Sequence, residues 1–395
     1  MDRDYGYYRK ALEGQGLPCA FLDLDLLHRN TESILTRSKD KRIRVHSKAI
    51  RSVYVLKTIL GSDARFSGVM CSSAPEAVHL SSSGIDDLLI AYPIVQRAQV
   101  DSVCREVRNG RTLVLTFDSV DHLERYQAAA ADNEVVLPVC LDMDMTTRFP
   151  FLHFGSHWSS VDSMEGVRAL LDKVKECPNL RLAGVVAYEG QIAGLPDRLP
   201  GHLVLNRAAR ILKAISIRKI RAFRKGLVDT IRSEGFDLDF VNGGGTMSLT
   251  STSADPSVTE VSPGSAFYAP AFFDYYAEYR HLPAAGYAVE VTRKAADYIV
   301  CYGGGYNSPG IADKYKQPVP YLSPDLRLAS HEGAGEVQTP LMFKGSTDLQ
   351  LGDPVFFRTS CAGELCERFN HLALISDGKV VDKVTTYRGD GKTFF

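Results

Sequence analysis

Long apolar runs are missing from this 395-residue chain, and so is any strong excess of charge. The opening stretch, MDRDYGYYRKALEG, carries charges where a secretory leader needs an apolar core. No later stretch is long and apolar enough to span a bilayer. The expectation is a soluble, cytoplasmic protein with no membrane partner. Forty-six Lys and Arg against 47 Asp and Glu leave a formal net charge of -1, which gives a nucleic-acid partner nothing to hold. Among the eight cysteines (19, 71, 104, 140, 177, 301, 361 and 366) no pair has C-x-x-C spacing, which excludes the usual zinc and redox motifs. A chain of this size needs no disulfide staples, so most of the thiols read as small buried hydrophobes in a reducing compartment. There is no low-complexity linker.

What is present is a recurring unit: a short apolar run, then a stretch with helical spacing. The runs are CAFLDLD (19–25), IRVHS (43–47), RFSGVMC (65–71), DLLIAYP (87–93), TLVLTF (112–117), VVLPVCLD (135–142), LRLAGVVAY (180–188) and DLDFVNG (237–243). Strands alternating with helices of this length imply right-handed crossovers and a parallel sheet. Eight such units point to an α/β fold, a closed (β/α)8 TIM barrel over residues 19–280. From about residue 285 the helical period disappears. VEVTRKAADYIVCYGGG, DPVFFRTS, HLALISDG and KVVDKVTTYRG are β-branched, aromatic and separated by turn signals. Residues 281–395, with 1–18 packed beside them, therefore read as a C-terminal all-β domain.

Barrel enzymes carry their chemistry at the C-terminal ends of the strands. Those positions hold His46-Ser47-Lys48, then Asp142, Asp144 and Arg148, then Tyr188-Glu189-Gly190-Gln191, and last Asn242-Gly243-Gly244-Gly245-Thr246. A glycine run after a strand brings main-chain N–H groups close to an anion, with the Thr246 hydroxyl as a further donor. Taken alone it is equally well a tight turn, because it lacks the spacing of the nucleotide-binding loops. Pro263-Gly264-Ser265 is a second candidate for the same anion. A lone lysine near a strand is most often a solvated surface residue, but Lys48 sits where a strand opens into the barrel mouth. There a desolvated amine can form an imine with an aldehyde cofactor. The basic helix from Arg207 to Lys225 reads as the wet face of an outer helix.

These pieces, taken in order, resemble the fold-type III pyridoxal-phosphate (PLP) enzymes with the alanine-racemase-like barrel. Within them the likeness is to the D-threonine aldolase and D-serine dehydratase group, and to bacterial proteins labelled amino-acid deaminase/aldolase. PCAFLDLDLLHRN, RVHSKAIRS, DMDMTTR, GVVAYEGQIAG, VNGGGTMS, EVSPGSAFYAPAFFD, CYGGGY, EGAGEVQTPL and AGELCERFN carry it over nearly the whole chain. The resemblance implies that Lys48 is the catalytic Schiff-base lysine of a PLP cofactor. It implies Arg148 near the cofactor's ring oxygen and Tyr188 and Gln191 bordering the ring. Gly244, Gly245, Thr246, Gly264 and Ser265 would hold the phosphate. Such relatives form homodimers and act on small amino-acid substrates. In the same group a His-x-Asp or His-x-Cys pair holds a divalent metal, but here Thr359 stands at the His position and Cys361 at the second. Metal dependence is left open, with His331 and Glu364 as further candidate ligands.

The implied function is a lyase acting on a β-hydroxy-α-amino acid of D configuration, by aldol cleavage or dehydration. An amino-acid racemase is the alternative; it needs a second acid/base on the other face, often a tyrosine from the partner subunit, and Tyr268, Tyr302 and Tyr306 are available. A non-catalytic PLP-binding barrel is the third reading, and it would have no use for the β domain.

Overall fold

The alternation of apolar runs and amphipathic stretches resolves, in the computed structural model, into a closed barrel. The structure describes residues 3–278, 280–310, 314–323 and 325–394; residues 1, 2 and 395 of the expected terminal segments lie outside them. Eight parallel strands close the barrel: Arg42–His46, Phe66–Cys71, Leu88–Ile90, Leu113–Phe117, Leu137–Asp142, Leu180–Val186, Phe240–Gly243 and Glu260–Val261. The last pairs back on the first through Glu260↔Arg42 and Val261↔Ile43. Serines start several of the outer helices. Ser73, Ser119 and Ser163 each accept a hydrogen bond from the main chain three residues on, opening helices Ala74–Ser82, Val120–Asp132 and Met164–Lys175.

The strand count expected from sequence holds, but one member differs. Cys19–Asp23 is not a barrel strand; it joins a separate nine-stranded sheet, antiparallel to Ala285–Lys294 and parallel to His371–Ser376. A short apolar run buried on both faces reads alike in either sheet. The true eighth strand is two residues long and begins with a glutamate, so it shows no apolar run at all.

That glutamate organises the barrel interior. Arg44 and Glu260, both buried, pair through Nε–Oε1 at 2.7 Å and Nη2–Oε2 at 3.0 Å. Arg44 Nη1 also donates to the Asp87 carbonyl at 2.6 Å, and Asn242 Nδ2 donates to Glu260 Oε1 at 2.7 Å. Around this polar seam pack Met70, Leu89, Val114, Cys140, Ala183, Val186 and Phe240. Two glycines make the room. A β-carbon on Gly184 would stand 2.5 Å from the Phe240 ring, and one on Gly68, at φ +74, would stand 2.6 Å from Arg44 Nη1.

The nine-stranded sheet carries its own aromatic core, where Tyr8, Phe21 and Phe356 meet. Helix Tyr5–Ala11 is tied to it by the Tyr8 hydroxyl, which donates to buried Asp23 at 2.9 Å. Asp23 also caps helix Leu24–Arg37 by accepting from Leu26 N at 3.0 Å. No helix among the described residues is long and apolar enough to cross a membrane.

Arg44 is buried, so Glu260→Ala removes its two-pronged partner and leaves it only the Asp87 carboxylate, 2.9 Å from Nη1. The expected loss of stability is about 3–5 kcal/mol in urea denaturation, and replacing both partners by apolar residues of similar size (Arg44→Met with Glu260→Leu) recovers most of it.

Candidate active site

The loops that leave the carboxyl ends of the barrel strands surround a cavity of about 430 Å3. Lys48 reaches it from the single turn Ser47–Ala49 that ends the first barrel strand. Its amine lies 3.0 Å from the Tyr92 hydroxyl. The Lys48 turn is held from outside the barrel. Arg51 Nε donates to the Lys48 carbonyl at 2.8 Å, while the Ile50 carbonyl accepts from the Tyr268 hydroxyl at 3.0 Å and from Cys366 Sγ at 3.3 Å. Ser52 Oγ donates to Thr385 O at 2.7 Å. Gly363, in helix Ala362–Arg368 of the C-terminal region, packs so closely that a β-carbon there would collide with the Lys48 carbonyl.

The same cavity is lined by residues with unengaged main-chain N–H groups. Those of Thr246, Gly264 and Ser265 donate to no other described group, while all three residues line the cavity. The Thr246 hydroxyl accepts from Ala266 N at 3.1 Å, which leaves its proton to give away. A β-carbon on Gly264 would meet those of His46 and Ala49 at 3.0 Å, and one on Gly245 would meet the Tyr188 ring at 3.2 Å. Only glycine permits so tight a concavity, whose free donors suit a phosphate. The turn is braced from behind by a buried ion network. Arg224 pairs with Asp255 at 2.7 Å and with Glu189 at 2.8 Å; Glu189 in turn accepts from Gly244 N at 3.3 Å and from the Thr252 hydroxyl.

The walls are Met70, Tyr92, Val186, Tyr188 and Phe273, with Trp158 stacked parallel on Tyr188 at 5.8 Å. Burial raises the Tyr188 phenol above its ordinary range and keeps it neutral. Burial and the nearby Lys48 charge push the His46 imidazole well below its ordinary range, and its Nε2 has no partner. Asp142 also lines the cavity; burial first, then the like charges of Asp118 and Asp144, push its carboxyl up to about 7.

Seven of the nine residues expected at the cofactor line this one cavity: Lys48, Tyr188, Gly244, Gly245, Thr246, Gly264 and Ser265. Arg148 and Gln191 are the corrections. Arg148 stands on a hairpin, Thr147–Phe149 with Leu152–Phe154, and its guanidinium turns outward to pair with Asp162 beside a separate cavity of about 250 Å3. Gln191 is buried, its amide nitrogen donating to the Met145 carbonyl at 2.6 Å, so it braces the Arg148 loop from below. On the basic helix Arg207, Arg210, Arg218, Lys219, Arg221 and Lys225 are exposed as expected, with two exceptions. Arg224 and Lys213 are buried, Lys213 pairing with Asp197 at 3.1 Å. Arg224 shares a stripe with Ile220, Leu227 and Ile231, a spacing that could have placed it inward. Tyr92 and Trp158 were missed altogether, for nothing in their local pattern distinguishes them from ordinary loop aromatics.

At the expected metal position the donors are sparse. Thr359 is buried and its carbonyl accepts from Ala271 N at 2.9 Å, Glu364 pairs with Arg368 at 2.8 Å, and His331 is exposed. Among the described residues no three His, Cys, Asp or Glu side chains gather as a metal site. One thiol beside a threonine does not make a divalent-ion site.

One cavity at the barrel mouth lined by an amine and by free main-chain N–H groups has the chemistry that suits a phosphorylated carbonyl compound. Residues 22–271 match the alanine racemase N-terminal domain, and the chain belongs to that family of fold-type III PLP proteins. It is 28% identical over 271 residues to the 3-hydroxy-D-aspartate aldolase of Paracoccus denitrificans (strain Pd 1222). That alignment takes in 66% of this chain and 64% of the relative, so the chain spans just under two thirds of its relative's length. The solved D-threonine aldolase from Filomicrobium marinum superposes with a TM-score of 0.80 at 19% identity, covering 95% of this chain and 96% of that one. D-threo-3-hydroxyaspartate dehydratase from Delftia sp. HT23 gives 0.77 at 20% identity, covering 95% and 98%. Both likenesses extend through the C-terminal sheet and establish the shared fold.

The raised Asp142 carboxyl has a measurable consequence. The folded chain holds that proton more tightly than the unfolded one, so its contribution to stability is present below about pH 4 and is lost as pH rises through about 7. Asp142→Asn, which cannot ionise, should therefore be more stable than the native chain at pH 8, by about 2 kcal/mol, with the difference vanishing near pH 4. Urea midpoints at the two pH values check this.

Proposed function

We propose that this chain is a PLP-dependent lyase acting on β-hydroxy-α-amino acids of D configuration, by retro-aldol cleavage or by dehydration with deamination. The observation that carries the reading is the Lys48 amine and the free N–H groups of Thr246, Gly264 and Ser265 lining one cavity. The family, and the aldolase and dehydratase relatives, support lyase chemistry.

When bound, the cofactor supplies a conjugated electron-withdrawing ring that weakens the bonds at the substrate's α-carbon. The protein's part is positional and protonic. Lys48 would hold the cofactor's aldehyde carbon, and Thr246, Gly264 and Ser265 its phosphate. Tyr188, bordered by Val186 and Trp158, lies where it can flank the ring and exclude water from it. With the substrate amine in its place on the cofactor, the freed Lys48 amine would be the base within the cavity for the α-proton, and departure of the β-hydroxyl would complete dehydration. Aldol cleavage instead requires the β-hydroxyl proton to leave. Asp142, His46 and His157 line the cavity as acceptors for it.

Racemisation would need a second acid/base on the opposite face, often one supplied by the partner subunit; within a single chain Tyr268 is buried with its hydroxyl committed to Ile50 O, and neither Tyr302 nor Tyr306 lines the cavity. The reading includes a homodimer, which the exposed apolar side chains of Phe151, Leu203 and Val204 support. It also includes a cytoplasmic setting, supported by eight free cysteines.

Purified protein should be yellow with one PLP per chain, and borohydride should fix the cofactor on Lys48, read by peptide mass. Lys48→Ala should lose the band and all turnover. Offered a panel of D- and L-β-hydroxy amino acids, the native protein should yield aldehyde or 2-oxo acid from the D members; enantiomer formation alone would replace the lyase with a racemase. Chelation with EDTA should leave turnover intact, and a collapse reversed by Mn2+ or Zn2+ would show that a metal site forms around Cys361.

A further inference from the structure

Lys48 has one hydrogen-bond partner among the described residues beyond its main chain, the Tyr92 hydroxyl at 3.0 Å from Nζ. The phenol is half-exposed and lines the cavity rather than filling a core. Its placement is built from both sides. Tyr92 follows the third barrel strand; Ala91 N donates to Cys71 O at 3.0 Å, and Ile94 N donates to the Tyr126 hydroxyl at 3.1 Å. Tyr126 is itself anchored, donating to Thr116 O at 2.9 Å. Pro93 confines Tyr92 to extended backbone. On the other side, the contacts to Gly363, Tyr268 and Cys366 fix the Lys48 turn. Two rigid segments 44 residues apart thus hold an amine and a phenol within bonding distance. A phenylalanine would wall the cavity equally well; the hydroxyl adds a lone pair that accepts from Lys48 Nζ and a proton left free to give away.

Resting on the PLP reading above, we propose that Tyr92 is a catalytic residue that passes protons to and from Lys48 each time the amine joins or leaves the cofactor aldehyde. Joining forms a carbon–nitrogen double bond, breaks the carbonyl carbon–oxygen bond and releases one water. Two protons leave nitrogen for oxygen, and no oxidant or reductant takes part. In each of the two transfers Tyr92 gives its phenolic proton to the oxygen and takes one back from nitrogen, ending as it began. When a substrate amine displaces Lys48, its nitrogen bonds to the carbon as the Lys48 nitrogen–carbon bond breaks, and Tyr92 relays the two protons from the substrate nitrogen to Lys48.

The test uses full-length protein stripped of cofactor and mixed with PLP, following the imine band in stopped flow. Tyr92→Phe should develop the band about 100-fold more slowly than the native chain, a loss in the usual range for an acid–base group. Its final stoichiometry and borohydride fixation on Lys48 should be unchanged. Equal rates would overturn the proposal. Site-specific 3-fluorotyrosine at position 92 keeps the shape while making the phenol more acidic. It should move the pH profile of the rate to lower pH, whereas an unmoved profile would reduce Tyr92 to a wall residue. Native protein that takes up no PLP would instead overturn the functional reading itself, so the two failures are distinguishable.

Discussion

A barrel closes only where its last strand meets its first, and here that seam rests on a buried charge pair. Glu260–Val261 offers two residues of ladder, too few for backbone pairing to define the closure alone. The Arg44–Glu260 pair, with Asn242 donating to the same carboxylate, adds side-chain bonds across three successive strands. The loops that carry Lys48, Gly244–Thr246 and Gly264–Ser265 leave those same three strands. Burying two charges is costly unless both are saturated with partners, and here they are. One polar cluster therefore ties together the three strands from which those loops leave.

A second charged layer works one step outward. Arg224 projects from helix Leu203–Ser233 to bind Glu189 and Asp255, and Glu189 holds the N–H of Gly244. Because that N–H is already engaged, a phosphate there would be left to Thr246, Gly264 and Ser265. Gly244 and Gly245, whose N–H groups are both taken, shape the cradle. Apolar packing makes the barrel stable, whereas these ion networks place its functional turns.

How much could be read in the chain follows from how local each signal is. RVHSK and VNGGGT declare themselves because a strand, its end and the reactive or flexible residue are contiguous. The eighth strand stayed hidden because its defining contact is a glutamate's bond to an arginine more than 200 residues away. Cys19–Asp23 was put in the wrong sheet because its partners lie after residue 284, and a buried strand looks the same whichever neighbour it finds. Arg148 follows its barrel strand as expected, yet a hairpin of two short strands redirects the side chain to Asp162. The Tyr92–Lys48 contact joins loops of non-adjacent strands, so it exists only once the barrel is closed.

The grip of the C-terminal segment on the Lys48 turn bears on the order of events during synthesis. The reactive lysine emerges from the ribosome among the first fifty residues, but Gly363, Cys366 and Thr385, which set its backbone, emerge among the last. Strand Cys19–Asp23 waits equally long for His371–Ser376. A nascent chain thus carries Lys48 without the scaffold that aims it. Cellular aldehydes meet an assembled pocket only after translation ends.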